Sequence, residues 1–160
     1  MTQYAAILCD IRSIHNVGSI FRTADGAGFE KIYLCGITPS PLDRFGRVRP
    51  DFAKVALGAE AGIAWEAVSD IKEAILALKK EGWTIFALEQ ADGSVSSDAI
   101  KHRTEKCALV VGNEVGGIPA DVLALADEIM EIPMLGKKES LNVSVAFGIA
   151  AYALRSQSAA

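Results

Sequence analysis

Residues 132–154 read IPMLGKKESLNVSVAFGIAAYAL, and the succession of residue types in this run decides the fold class. The apolar stretch DEIMEIPM (127–134) is expected as a strand, and LGKKESL as a loop opened by Gly136. NVSVAFGIAAYALRS (142–156) is expected as a helix. Asn142 is a good N-cap, and Val143, Phe147, Ile149, Ala150, Ala153 and Leu154 make it apolar on more than one side. The tail SQSAA is expected to fray.

The same alternation of strand and helix runs back to the N-terminus. Strands are expected at 4–10, 31–36, 64–68, 83–89 and 106–112. Helices are expected at 16–28, capped by Asn16, and at 69–82, capped by Ser69. Shorter ones are expected within DFAKVALGAE and at 119–126, with an uncertain one near 96–103. Residues 37–50 carry three prolines and Gly46 and read as a loop. Strands that alternate with helices imply α/β architecture, a mostly parallel sheet with helices on both faces. The 160 residues fit one domain, 1–160.

Composition bounds the function. Hydrophobic residues make up 51% of the chain, which suits strands buried on both faces. No run approaches the ~18 uncharged apolar residues of a membrane span. The N-terminus lacks the basic n-region of a signal peptide, so a cytoplasmic location is expected. Cys9, Cys35 and Cys107 sit in or beside apolar runs without a CxxC spacing, and read as buried small hydrophobes. His15 and His102 are too scattered for a metal site. The net charge of −4 argues against a nucleic-acid partner, yet RFGRVRPDFAK (44–54) is locally basic. Walker A, GxGxxG after the first strand, and GxSxG are all absent, which removes the usual signals for nucleotide hydrolysis, dinucleotide redox and serine hydrolase chemistry.

Ligands of open α/β sheets bind beyond the carboxyl ends of strands. Three late loops there are rich in glycine or polar residues: LEQADG, GNEVGGIP and PMLGKKESLN. Each could be only a turn; three in series favour a ligand pocket. On the 16–28 helix, Gly18 and Arg22 share a face, so Arg22 is expected to reach back over Gly18 toward the helix N-terminus. Such a guanidinium suits a phosphate, or simply pairs with Asp25.

Taken together, HNVGSIFRTADGAG (15–28), LVVGNEVGGIP (109–119) and IPMLGKKESLNVSVA (132–146) resemble the motifs of the SpoU/TrmH group of the SPOUT superfamily, the RNA ribose 2′-O-methyltransferases. The match spans almost the whole chain in the expected order, without departure at the motif positions. The resemblance implies a parallel sheet closed by a C-terminal deep trefoil knot, and a homodimer with active sites at the subunit interface. It implies S-adenosylmethionine held by Leu88, Gly112, Ile132, Met134, Gly136 and Leu141. It casts Arg22 as the group beside the ribose, acting as a base with help from an RNA phosphate; a permanently charged guanidinium fits a charge and hydrogen-bonding role as well. Asn16, Glu114, Ser140 and Asn142 are then expected to orient ribose and cofactor, with Glu114 either accepting a proton or holding loop amides. RNA would be held by the dimer surface through Arg12, Arg44, Arg47, Arg49 and Lys54, followed by Lys137 and Lys138. A compact chain suits tRNA over rRNA. The rival readings are a non-catalytic RNA-binding module on the same fold and a small-molecule enzyme on an ordinary doubly wound sheet.

Overall fold

The computed structural model describes residues 1–157, so most of the tail read as frayed lies outside the described residues. Seven parallel strands form one sheet: β1 (Gln3–Cys9), β2 (Lys31–Cys35), β3 (Ala64–Val68), β4 (Thr84–Leu88), β5 (Val95–Ser96), β6 (Lys106–Val111) and β7 (Glu128–Glu131). Their order is β3-β2-β1-β6-β4-β7-β5. The helices are α1 (Ile14–Gly26), α2 (Pro50–Ala56), α3 (Ala59–Gly62), α4 (Ile71–Lys80), α5 (Ala120–Leu123) and α6 (Val143–Ser156). The expected architecture, a parallel sheet covered on both faces, is the one observed.

Strand pleating divides the core in two. Along β1, Tyr4, Ala6 and Leu8 point to one side, where they join Val17, Ile20 and Phe21 of α1 and Phe147, Ala150 and Leu154 of α6. Ala5 and Ile7 point to the other, against Ile75 and Leu78 of α4 and Val122 of α5. Because both faces are covered, Tyr4–Cys9 and Cys107–Val111 read as unbroken apolar runs rather than as alternating ones. Among the described residues no helix is long and apolar enough to cross a membrane.

Three local expectations are corrected. First, α1 starts two residues early. Ser13 is its N-cap, accepting from the Asn16 amide at 3.1 Å, which leaves the Asn16 side chain free for long-range bonds. Second, Asp70 rather than Ser69 caps α4, accepting from the Lys72 amide at 2.9 Å. Its carboxylate is also the better partner for the positive end of the helix. Third, the segment near 96–103 is no helix: Val95 and Ser96 pair with Met130 and Glu131 as a seventh strand, and His102 turns inward. The short helix expected within DFAKVALGAE is α2, and α3 follows it after Leu57 and Gly58, which both adopt positive φ. β7 also ends at Glu131, short of Pro133, which has no amide to donate to a ladder.

α1 lies close to α2. A Cβ at Gly18 would stand 3.2 Å from the Phe52 carbonyl oxygen and from the Val55 Cβ, so Gly18 serves helix packing. The space above Gly18 is therefore filled by α2, and not by Arg22 as the helix spacing suggested. Phe21 and Phe52 close the contact edge to face, ring centres 5.1 Å apart.

Candidate active site

A cavity of about 500 Å³ opens beyond the carboxyl ends of β4, β6 and β7. The three loops singled out by composition form its walls. Five of the six residues expected to hold a cofactor line it: Leu88, Gly112, Ile132, Met134 and Leu141. Gly136 lies outside the lining. Val143 and Ala146 of α6 complete an apolar wall.

The floor is a backbone crossing. A side chain at Gly112 would collide with the backbone of Gly117 and stand 2.5 Å from the Ile118 nitrogen. Only a glycine lets the two strands of this loop touch. Asn113 folds the loop between them, its carboxamide oxygen accepting from the amides of Val115 (2.9 Å) and Gly116 (3.0 Å). Glu89 at the end of β4 grips the same loop through the Ile118 amide at 2.9 Å. Gln90 reaches the Glu139 carbonyl at 2.8 Å, tying the β4 loop to the 132–142 segment. Nothing in the sequence distinguished Glu89 from a surface acid, since its partner lies 29 residues away.

The charge of the lining is one-sided. Glu89, Glu114 and Glu131 face the cavity, and no lysine, arginine or histidine does. The cavity thus suits a cationic ligand with an apolar body and is poorly suited to a phosphate.

A chain of three side chains joins this cavity to α1. The Glu114 carboxylate accepts from the backbone amides of Arg12 and Ser13 (both 3.2 Å) and from the Asn16 side chain (3.3 Å). The Asn16 carboxamide oxygen accepts from Asn142 at 3.1 Å. Asn142 in turn caps α6, accepting from the Ser144 amide at 2.9 Å. Burial works against ionising Glu114, but the loop amides and Asn16 outweigh it and hold its carboxyl below the ordinary 4.5. A carboxylate so well supplied with donors is a bracket between the loop after β6 and the junction of β1 with α1, and Asn16 carries the link on to the cap of α6. The linkage has a definite sign. A depressed folded pKa stabilises the fold above the unfolded value and loses that stabilisation as pH falls through the folded one. Glu114→Gln should therefore lower the urea midpoint at neutral pH. The deficit should shrink as pH falls through the lowered folded pKa, where the wild-type carboxyl takes up its proton. A deficit that does not change with pH would show that Glu114 acts there without its charge.

Arg22 sits elsewhere. It is exposed on α1 and lines a second, shallower cavity of about 1000 Å³, with His15, Ser19 and Thr23 of α1, Lys54 of α2 and Tyr152 of α6. The alternative pairing with Asp25 is not formed; among the described residues the Arg22 guanidinium makes no ion pair or hydrogen bond. Arg22 and Lys54 against a single acid, Asp51, give this cavity the opposite polarity to the first. The two share no lining residue. His15, Ser19, Arg22 and Gly26 follow a helical repeat, so this face was legible; the arrival of Lys54 and Tyr152 was not.

The remaining candidates scatter. Ser140 lines the first cavity, and Lys137 and Lys138 are exposed beside it. Arg12 and Arg44 are exposed, Arg47 pairs with Asp43 at 3.0 Å, and Arg49 spends its guanidinium on the Leu42 carbonyl at 3.2 Å. The three thiols are buried, and burial pushes Cys9 up to about 11 and Cys35 and Cys107 up to about 12, which leaves them poor nucleophiles.

The fold and both cavities can be set beside known proteins. Residues 3–152 match the model of the SpoU rRNA Methylase family. The chain is 34% identical over 143 residues to the tRNA (guanosine(18)-2′-O)-methyltransferase of Escherichia coli (strain K12), covering 89% of this chain and 58% of that protein. It thus spans little more than half the length of that relative. The AdoMet-bound rRNA methyltransferase of Sinorhizobium meliloti superposes with a TM-score of 0.85 at 28% identity, over 97% of this chain and 56% of that one. A protein whose structure gives "structural insights into the 2-OH methylation of C/U34 on tRNA" superposes with a TM-score of 0.77 at 28% identity. That match covers 98% of this chain and 96% of the other. With the family model matched over residues 3–152 and the loops after β4, β6 and β7 gathered at one cavity, the chain belongs to the SpoU rRNA Methylase family.

Proposed function

We propose that the protein transfers a methyl group from S-adenosylmethionine to a ribose 2′-hydroxyl of RNA, with tRNA favoured over rRNA as the substrate. One observation carries this reading furthest: two cavities of opposite charge flank α1 and α6, one acidic and partly apolar, one basic. The first suits a sulfonium with its adenosine, the second a phosphodiester.

The acidic cavity fits the cofactor on its own terms. Its volume is that of a small-molecule site. The Gly112 crossing leaves backbone on the surface where a flat base can lie, and Leu88, Ile132, Leu141 and Val143 supply apolar contact. Glu89, Glu114 and Glu131 complement positive charge. When bound there, S-adenosylmethionine supplies an electrophilic methyl on a sulfonium. The chain's own task is to bring a 2′-hydroxyl into line and take charge off it. Arg22 and Lys54 hold the neighbouring phosphate, and the guanidinium donates to the hydroxyl oxygen as negative charge develops. A guanidinium keeps its proton, so the RNA phosphate it holds is the proton acceptor. Asn16 and Asn142, joined to each other and to Glu114, keep α1 and α6 in register with the cofactor loops.

Because Arg22 and the acidic cavity share no lining residue, we infer that the working site is completed between two copies of the chain. Leu141, just before α6, and Val145, Ile149 and Tyr152 on it are exposed apolar residues (38%, 51%, 41% and 54% exposed) that run from the acidic cavity to the basic one. A second copy covering this stripe would close both. The trefoil knot belongs to the same reading, with the 132–142 segment as its return to α6. Titration calorimetry with S-adenosylmethionine tests the first cavity, and absence of binding would overturn the assignment. Light scattering tests the second point: a mass twice 17.0 kDa is expected for the wild type and the single mass for Ile149→Asp. A wild-type monomer would remove the composite site.

A further inference from the structure

Between β2 and α2 the chain makes a small hairpin that takes no part in the chemistry above. Leu42 and Val48 pair antiparallel, and the Asp43 amide donates to the Arg47 carbonyl at 2.8 Å. The Asp43 carboxylate organises the turn. It accepts from the amides of Phe45 (2.8 Å) and Arg47 (3.0 Å) and from the Arg47 guanidinium (3.0 Å). Gly46 takes the positive φ the turn requires, at 76°. Arg49 braces the base, its amide donating to the Pro41 carbonyl at 2.9 Å and its side chain to Leu42.

This rigid turn presents a phenyl ring to solvent. Phe45 is 66% exposed, with the guanidinium carbons of Arg44 and Arg47 at 4.8 Å and 5.0 Å from its ring centre. A single exposed apolar side chain needs no explanation. A ring held outward by a hydrogen-bonded turn, with two cations against it, is a different object. The turn's hydrogen bonds hold the backbone from which the ring projects. The surface combines a flat π face with two planar charges, the combination that receives an unpaired nucleobase and its flanking phosphates. An acidic peptide would use the arginines and leave the ring idle. Paired bases would be stacked within a duplex and out of reach of the ring. The hairpin also leads directly into α2, whose Asp51, Lys54 and Val55 line the basic cavity with Arg22.

We propose that Phe45, between Arg44 and Arg47, is a stacking platform for an unpaired base of the RNA, a role that rests on the RNA reading above. The ring would lie against a base near the methylated ribose and help hold that nucleotide out of a helix. The arginines would secure the phosphates on either side.

The test uses the 160-residue chain and two labelled RNAs, a stem-loop and a fully paired duplex of equal length, followed by fluorescence anisotropy. Phe45→Ala should weaken stem-loop binding by roughly tenfold to a hundredfold, the range for loss of one stacked base, and duplex binding by no more than about twofold. Phe45→Trp should restore the stem-loop. Arg44→Ala should weaken both RNAs and flatten the salt dependence of each. An unchanged thermal melt is expected, since the ring is exposed. Equal loss on both RNAs, or none on the stem-loop, overturns the platform. If the wild-type protein binds and methylates RNA while Phe45→Ala is indifferent, only the platform fails. If the wild type binds neither RNA, the RNA reading fails and the platform with it.

Discussion

Arg22→Ala should lower methyl transfer about a thousandfold, within the range for removing a group that stabilises developing charge, while cofactor affinity stays near wild type. The two halves of that expectation have separate grounds. Arg22 is exposed, makes no bond that its loss would orphan, and lies among His15 and Lys54 in a basic cavity. Its removal therefore costs the fold little. The acidic cavity, by contrast, contains no atom of Arg22. Lysine at this position keeps the charge but loses the planar two-pronged donor, so Arg22→Lys should rescue only a small part of the rate. Transfer that survives Arg22→Ala on a true substrate would remove Arg22 from the mechanism. A parallel loss of cofactor affinity would place it in the first cavity instead.

Gly112→Ala should have the second large effect, and of the opposite kind. Its added methyl meets the backbone of Gly117 and Ile118, 2.5 Å from the Ile118 nitrogen, and backbone cannot swing aside as a side chain can. The crossing must open. Overpacking of this severity costs about 3 kcal/mol, which in a chain of this length lowers Tm by roughly 6–12 °C. Opening the crossing also moves Asn113, Glu114 and Ile118, so cofactor binding should fall below detection by calorimetry even where the protein remains folded. Normal affinity in Gly112→Ala would mean that the loop is not the cofactor's floor.

The two variants together separate a site within one chain from a site between two. If two copies assemble as proposed, Arg22→Ala and Gly112→Ala chains that are mixed and refolded would form some heterodimers. In these, one intact acidic cavity can face one intact Arg22 across the α6 stripe. Recovered activity in the mixture supports a site between copies. If each site were built from a single chain, the mixture would stay as inactive as its parts.

Much of this was readable locally, and what was not has a common cause. Asn142 could be recognised as the cap of α6 because an Asn before an apolar helical repeat is a short-range pattern. Asn16 looked the same and was misassigned, since Ser13 caps α1 and releases Asn16 to bridge Glu114 and Asn142. Those partners lie 98 and 126 residues away, and no local pattern encodes them. The two-residue strand β5 was missed for the same reason: its only signal is the Met130 and Glu131 edge beside it. Gly112 was legible as a glycine that mattered, but the close crossing that requires it appears only once the loop is folded. Arg22 was legible as a candidate, while the direction it faces was set by α2 filling the space over Gly18.

The proposed reaction is the transfer of a methyl group to a ribose. Its most direct test incubates the protein with methyl-labelled S-adenosylmethionine and unmodified tRNA or rRNA, followed by alkaline hydrolysis. Alkali cuts RNA through the free 2′-hydroxyl, so a methylated ribose leaves its 3′ linkage intact. Label recovered in alkali-resistant dinucleotides is the predicted result. Label in mononucleotides would mean a methylated base, and no label in either RNA, from a protein that binds the cofactor, would mean that RNA is not the acceptor.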